Sequence, residues 1–213
     1  MLHEKIEVAR GTASRERLRT LLTIHKPAVV FQLASVPTQP SVKVKITADL
    51  LAVAAEVCPT LPVIVPLSQA ESRPRFNLHT NGELRLGFVN LPTLFGEGAP
   101  NDGSWTTRLF TAATDRQPLP PPVADGPLTY APDAADSLLA AAEALHQLAE
   151  PPVEGLWLEP TASTTTRKLF ERVSAPLALS GNRLGEAVRN TLAWYERQPR
   201  PSGKEALTTR AAA

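Results

Sequence analysis

The chain is poor in sulfur, in aromatic rings and in net charge. Among its 213 residues stands one cysteine, Cys58. A single thiol excludes an internal disulfide framework and any CxxC pair, so dithiol exchange within the chain is ruled out. The 22 Lys and Arg nearly balance the 21 Asp and Glu, leaving a formal net charge of +1. So small an imbalance sets up no strong field toward nucleic acid or a membrane surface. No apolar run approaches the roughly 18 residues that a spanning helix needs. The N-terminal stretch MLHEKIEVARGTASRERLRTLL has no apolar core, so it does not read as a secretory leader, and the expected location is cytoplasmic. The four histidines, His3, His25, His79 and His146, are scattered without an i, i+4 pair. No metal site is expected from them.

What is present is enough for a folded core. Hydrophobic residues make up 43% of the chain and charged residues 20%, which suits a soluble globular protein of one domain or two small ones. The helical signals are clear. SRERLRTLLTI has Ser14 as cap, with Leu18, Leu21 and Leu22 on one face. TADLLAVAAEVC groups Leu50, Leu51, Ala54, Val57 and Cys58. Its start is ambiguous, because VKVKI before it alternates like a strand; Thr47 and Ser41 are both candidate caps. Further helices are expected at SWTTRLFTAAT after Ser104, at DAADSLLAAAEALHQLA, at STTTRKLFERV with Ser163 or a following Thr as cap, and at LGEAVRNTLAWYERQ. Strands are expected at AVVFQLAS, PTLPVIVPLS, VEGLWLEP and APLALS, and a hairpin around Asn81-Gly82. The Pro-rich DRQPLPPPVADGPLTYAP between the halves reads as an extended linker.

Two stretches, SRPRFNLHTNGE and SAPLALSGNRLG, each place a proline before an apolar strand and a glycine turn. With RLRTLLTIHKPAVVFQLAS, they give the chain a resemblance to the thioredoxin/glutaredoxin fold. More narrowly, the chain resembles the tandem N-terminal domain of the flavoprotein subunit of alkyl hydroperoxide reductase. The resemblance implies an α/β, thioredoxin-like fold with a mixed sheet flanked by helices, in two tandem units. The first would span 1–116, a linker 117–131, and a second, degenerate unit 132–198, before a disordered tail over 199–213. It also implies a cis X-Pro bond at each proline, beside a binding loop. The family's CxxC is missing: TASTTTRKLF follows GLWLEP, and VPTQPS follows VVFQLAS. The expectation is therefore a redox-inactive protein without a reaction, cofactor or metal. It would act through contacts with a protein partner at Arg73, Pro74, Ala175 and Pro176, beside a redox partner.

Two other readings stand beside it. SGNRLGEA follows a strand and opens a helix, so Gly181, Arg183 and Gly185 could hold a phosphorylated ligand, as in an enzyme or binding protein. The turn lacks both the Walker and the dinucleotide spacing. The basic RGTASRERLR could contact nucleic acid, but Glu4, Glu7 and Glu16 dilute it and no aromatic residues interleave. Asp133, Asp136 and Glu143 read as helix-start and surface charges. Cys58, at the C-terminal end of its helix, reads as a small buried apolar residue. Trp105, Trp157 and Trp194 read as core, with an exposed contact at Trp194-Tyr195 as the alternative.

Overall fold

The computed structural model describes residues 14–33, 40–68, 84–99, 103–122, 124–152, 155–160, 162–175 and 182–198. Its elements in chain order are α1 (Arg15–His25), β1 (Val30–Phe31), α2 (Pro40–Val57), β2 (Pro62–Ser68), β3 (Arg85–Leu91), β4 (Thr93–Phe95) and α3 (Trp105–Thr114). There follow β5 (Pro127–Tyr130), α4 (Ala131–Gln147), β6 (Leu156–Leu158), β7 (Thr164–Thr165), α5 (Thr166–Ser174) and α6 (Arg183–Arg197). The chain forms two units, Met1–Leu91 with Ala135–Thr161, and Pro92–Ala134 with Ala162–Ala213.

The first unit is built on a sheet of order β1-β2-β3-β6 in which every pairing is parallel. A parallel strand is covered on both faces and so reads as a continuous apolar run. β2 does so: Pro62, Val63, Ile64 and Val65 are all buried. Against it pack Leu22 of α1, Leu50, Leu51, Val53 and Ala54 of α2, and Phe88 of β3. Phe88 stacks on Trp157 of β6 with ring centroids 4.4 Å apart. Arg85 donates to the carbonyls of Leu145 and Leu148 at 2.5 and 2.8 Å. It thereby satisfies carbonyls at the end of α4, where a cation also suits the helix dipole.

VKVKI is helical, not a strand. Its alternation is too short to compete with the apolar face that follows, and α2 runs unbroken from Pro40, so the helix starts ahead of both candidate caps, Ser41 and Thr47. Val44 accordingly lies exposed on the helix surface. Lys45 pairs one turn on with Asp49, Nζ to Oδ2 2.5 Å, while Arg15 Nε reaches Oδ1 at 2.6 Å from α1. The Lys45 bond first, and the Arg15 bond second, hold the Asp49 carboxyl below its ordinary range against the opposing effect of burial. A carboxyl lowered in the folded state adds stability above its unfolded value, about 3.9. That stability is lost as pH falls through the lowered value. Asp49→Asn is therefore expected to lower the unfolding free energy from urea melts at neutral pH by up to about 1 kcal/mol, since both cations are exposed. The gap from wild type should close in strong acid; a gap that persists there would show that charge is not its cause.

The second unit holds β4 parallel to β5, and β7 antiparallel to β5. Its core joins Phe95, Leu109, Phe110, Leu128, Tyr130, Leu169, Val173, Ala187 and Val188. The rings of Phe95 and Phe110 stack at 6.2 Å, and those of Phe110 and Tyr195 at 5.7 Å. Ser104 and Thr165 cap α3 and α5 as their positions suggest, accepting from the amides of Thr107 and Lys168.

The fold is α/β with a parallel sheet flanked by helices, and the tandem thioredoxin-like reading does not hold. β3 precedes the Pro-rich stretch and β6 follows it, yet they are neighbours, with Phe88 opposite Trp157. The two halves of the sequence thus share one sheet. Part of the expected linker is itself a strand, β5, in which Leu128, Thr129 and Tyr130 are buried. The hairpin at Asn81-Gly82, the Arg73-Pro74 bond, the strand following Pro176, Gly181 and the expected tail lie outside the described residues. No described helix is long and apolar enough to cross a membrane.

Candidate functional site

In the second unit, the start of α6 meets the first turn of α4 and the end of β5. Asn182 caps α6, its Oδ1 accepting from the Gly185 amide at 2.8 Å. This leaves the Gly185 amide committed within the protein. Arg183, the first residue of α6, donates from Nε to Asp133 Oδ1 at 2.8 Å, and its Nη2 joins the same oxygen. Glu186 Oε2 lies 3.7 Å from Nη1. The guanidinium also stands over the Tyr130 ring, 5.9 Å from its centroid. Asp133 is 7% exposed, and half of the Arg183 side chain remains in solvent. Arg183 is therefore anchored by a shielded carboxylate while half of its side chain faces solvent.

Tyr130 carries a second set of contacts. Its hydroxyl donates to Glu97 Oε1 at 2.8 Å and accepts from Asn190 Nδ2 at 3.5 Å. Burial pushes its phenol above the usual tyrosine value; the Asn190 bond pulls down and the Glu97 carboxylate pushes up. Tyr130 is thus a neutral donor at physiological pH. Glu97 Oε2 and Thr129 Oγ1 are buried without a hydrogen-bond partner among the described residues.

A cavity of about 90 Å³ opens here, lined by Phe95, Tyr130, Asp133, Ser163, Thr164 and Arg183 among others. At about 30 Å³ for each water of the liquid, that is room for one phosphate or one edge of a sugar ring. The lining offers a guanidinium, a carboxylate, two hydroxyls and aromatic surface together. Such a mixture suits a ligand that is anionic at one point and hydroxylated at another.

A larger cavity, about 560 Å³, lies in the first unit between Leu22, Lys26, Val57, Cys58, Pro62 and His146. It opens at Pro62, the first residue of β2. Open parallel sheets take their ligands at the carboxyl ends of the strands, so this cavity is at the opposite end. Cys58 packs partly buried against the core there. No group of His, Cys, Asp and Glu among the described residues could hold a metal ion.

No protein-family model matches this sequence, and no curated protein matches it significantly. Solved structures do match its fold. An NAD-dependent NDP-hexosamine 5,6-dehydratase, TunA, involved in tunicamycin biosynthesis, aligns with 85% of this chain and 80% of its own, at TM-score 0.59 and 18% identity. The UDP-glucuronic acid 4-epimerase of Bacillus cereus, solved with UDP-glucuronic acid and NAD, aligns with 84% of this chain and 78% of its own, at TM-score 0.61 and 13% identity. The enzyme WbmF of Bordetella bronchiseptica, solved with NAD+ and UDP, aligns over 92% and 77%, at TM-score 0.60 and 14% identity.

These likenesses place the fold among Rossmann-like α/β proteins. They overturn the resemblance to thioredoxin, glutaredoxin and the alkyl hydroperoxide reductase domain. The expectation of a redox-inactive protein that docks partners and performs no reaction falls with it, since the neighbours in fold are enzymes. The phosphorylated-ligand alternative agrees better with them.

Of the residues singled out from sequence, Arg183 lines the cavity and Gly185 stands in the first turn of α6. Ala175 ends α5, its amide donating to the Glu171 carbonyl at 3.2 Å. Arg73, Pro74, Pro176 and Gly181 lie outside the described residues. On α1, Arg15 and Arg19 engage Asp49 and Glu56 of α2. Sequence reasoning missed Tyr130, hidden in the Pro-rich stretch, and took Asp133 for a helix-start charge. The only signal for Asp133 was its acidic side chain in a helix's first turn, which the dipole alone explains.

The NAD with which the epimerase and WbmF were solved is a poor fit to the residues here. A dinucleotide cradle needs the spacing G-x-G-x-x-G between a strand and its helix, so that the backbone can approach the pyrophosphate. The chain contains no such spacing. In the first unit, β1 leads into α2 through QLASVPTQ, which has no glycine. Its nearest approach to the pattern, Gly96-Glu97-Gly98, is followed by Asn101 where the third glycine would stand.

Proposed function

We propose that this protein is an enzyme acting on a nucleoside-diphosphate sugar, and that its second unit holds the phosphate-bearing end of that ligand. The observation that carries the reading is Arg183, seated by Asp133 beside Tyr130 at the rim of a phosphate-sized cavity. Arg183 would set its positive charge against a phosphate oxygen while the Ser163 and Thr164 hydroxyls meet ligand hydroxyls. The likeness in fold to proteins solved with UDP, or with UDP-glucuronic acid, supports the same ligand class.

Titration with UDP and with UDP-glucuronic acid tests the reading. Wild type should bind both saturably. A hydrogen bond to a charged group is worth about 1.5–3 kcal/mol. Arg183→Ala should therefore weaken binding roughly 10- to 100-fold. Arg183→Lys keeps the charge but loses the paired contact that seats the side chain on Asp133, and should fall between. Thermal melts of each variant separate a lost contact from a lost fold. Unchanged affinity in a folded Arg183→Ala protein would remove the site from this cavity.

A further inference from the structure

We infer that nucleotide-sugar binding by this chain is independent of NAD, because neither its sequence nor its described residues supply a dinucleotide cradle. The inference rests on the ligand class proposed above and concerns the first unit, where such a cradle would lie. Three observations carry it, each from a different level of structure.

The first is topology. Dinucleotides bind an open α/β sheet at the point where the strand order reverses, in the crevice between connections that leave in opposite directions. The described sheet runs β1-β2-β3-β6, rising steadily in chain order from one edge to the other. It contains no reversal, and hence no switch point at which a crevice would open.

The second is backbone access. Among the described residues of the unit, β1 is the strand whose carboxyl end leads to a helix, α2. Between them stand Gln32, Leu33, Ala34, Ser35, Val36, Pro37, Thr38 and Gln39, every one bearing a Cβ. A pyrophosphate lies against backbone amides only where glycine leaves room for it. Gln32 is also spoken for inside the protein: it is buried, and its Nε2 donates to Thr47 Oγ1 at 2.8 Å.

The third is donor supply. Anion sites at helix starts use the free first-turn amides. α2 opens on Pro40, which has no amide hydrogen to give. The glycine pair that does follow a strand, Gly96 and Gly98 after β4, belongs to the other unit. Its helix, α3, already satisfies the Thr107 amide through the Ser104 hydroxyl.

The test measures the affinity for UDP-glucuronic acid with and without millimolar NAD+, and separately follows NADH fluorescence as protein is added. The expected result is that the sugar-nucleotide affinity changes by less than about twofold, below the 5- to 150-fold typical of coupled sites. NADH emission should show no saturable change. Saturable NADH binding, or sugar-nucleotide binding that appears only after NAD+ is added, overturns the inference and leaves the proposed function standing. Silence of UDP-glucuronic acid in both conditions, with NADH also silent, overturns the proposed function and leaves the missing cradle intact.

Discussion

Phe88→Ala is expected to destabilise the first unit by about 3–5 kcal/mol, the usual cost of deleting a ring from a packed core. Phe88 is 2% exposed on β3, with β2 on one side and β6 on the other. Its ring lies flat on Trp157, and such a stack adds about 0.5–1.5 kcal/mol beyond the area it buries. Alanine would remove the ring and leave Trp157 facing a void between strands that cannot close without moving the sheet. Urea unfolding followed by circular dichroism gives the number. A loss below about 1 kcal/mol, the scale of an ordinary surface change, would mean that Phe88 is not the packing centre described here.

Gly155→Ala should produce the second large effect, for a reason that complements the first. Gly155 precedes β6 with φ of +82°, in the left-handed region. An added Cβ there would stand 2.9 Å from a Phe88 ring carbon and 3.2 Å from the Leu86 carbonyl oxygen. The left-handed conformation alone costs a side chain about 1–2 kcal/mol. Overpacking adds roughly 1–3 kcal/mol, and the backbone carbonyl has little freedom to yield. The two substitutions touch the same space, so they should not add. In a Phe88→Ala background the new methyl meets no ring, and Gly155→Ala should cost less than in wild type. Full additivity would show that the ring and the glycine do not confine one another.

Local signals in the sequence were legible because local physics determines them. Ser14, Ser104 and Thr165 each accept from an amide three residues on, as cap residues do. The apolar faces of α1, α2, α4 and α6 follow the helical period. Pairing between strands was not legible. Nothing local to Leu156, Trp157 and Leu158 tells that their neighbour is β3 rather than a strand of their own half. The tandem reading grew from two proline stretches that look alike, and likeness of composition carries no information about which edge a strand joins. β5 was obscured for a related reason, since Pro127 opens it and proline is ordinarily a sign against a strand. At the site, Arg183 stood out as a basic residue at a helix start. Asp133 and Tyr130 became partners to it only through tertiary folding, which brings the start of α4 beside the start of α6.

The backbone passes from one unit to the other at Leu91–Pro92, back at Ala134–Ala135 inside α4, and over again at Thr161–Ala162. No single cleavage or stop codon therefore releases either unit whole. A product ending before α4 would present β3 with one flank bare, because β6 has not yet been made. Such a molecule would carry a long apolar margin open to its own kind, which invites clumping rather than a smaller working piece. Recombination could not exchange one unit as a cassette either: a transplant would have to bring two segments and match the middle of a helix.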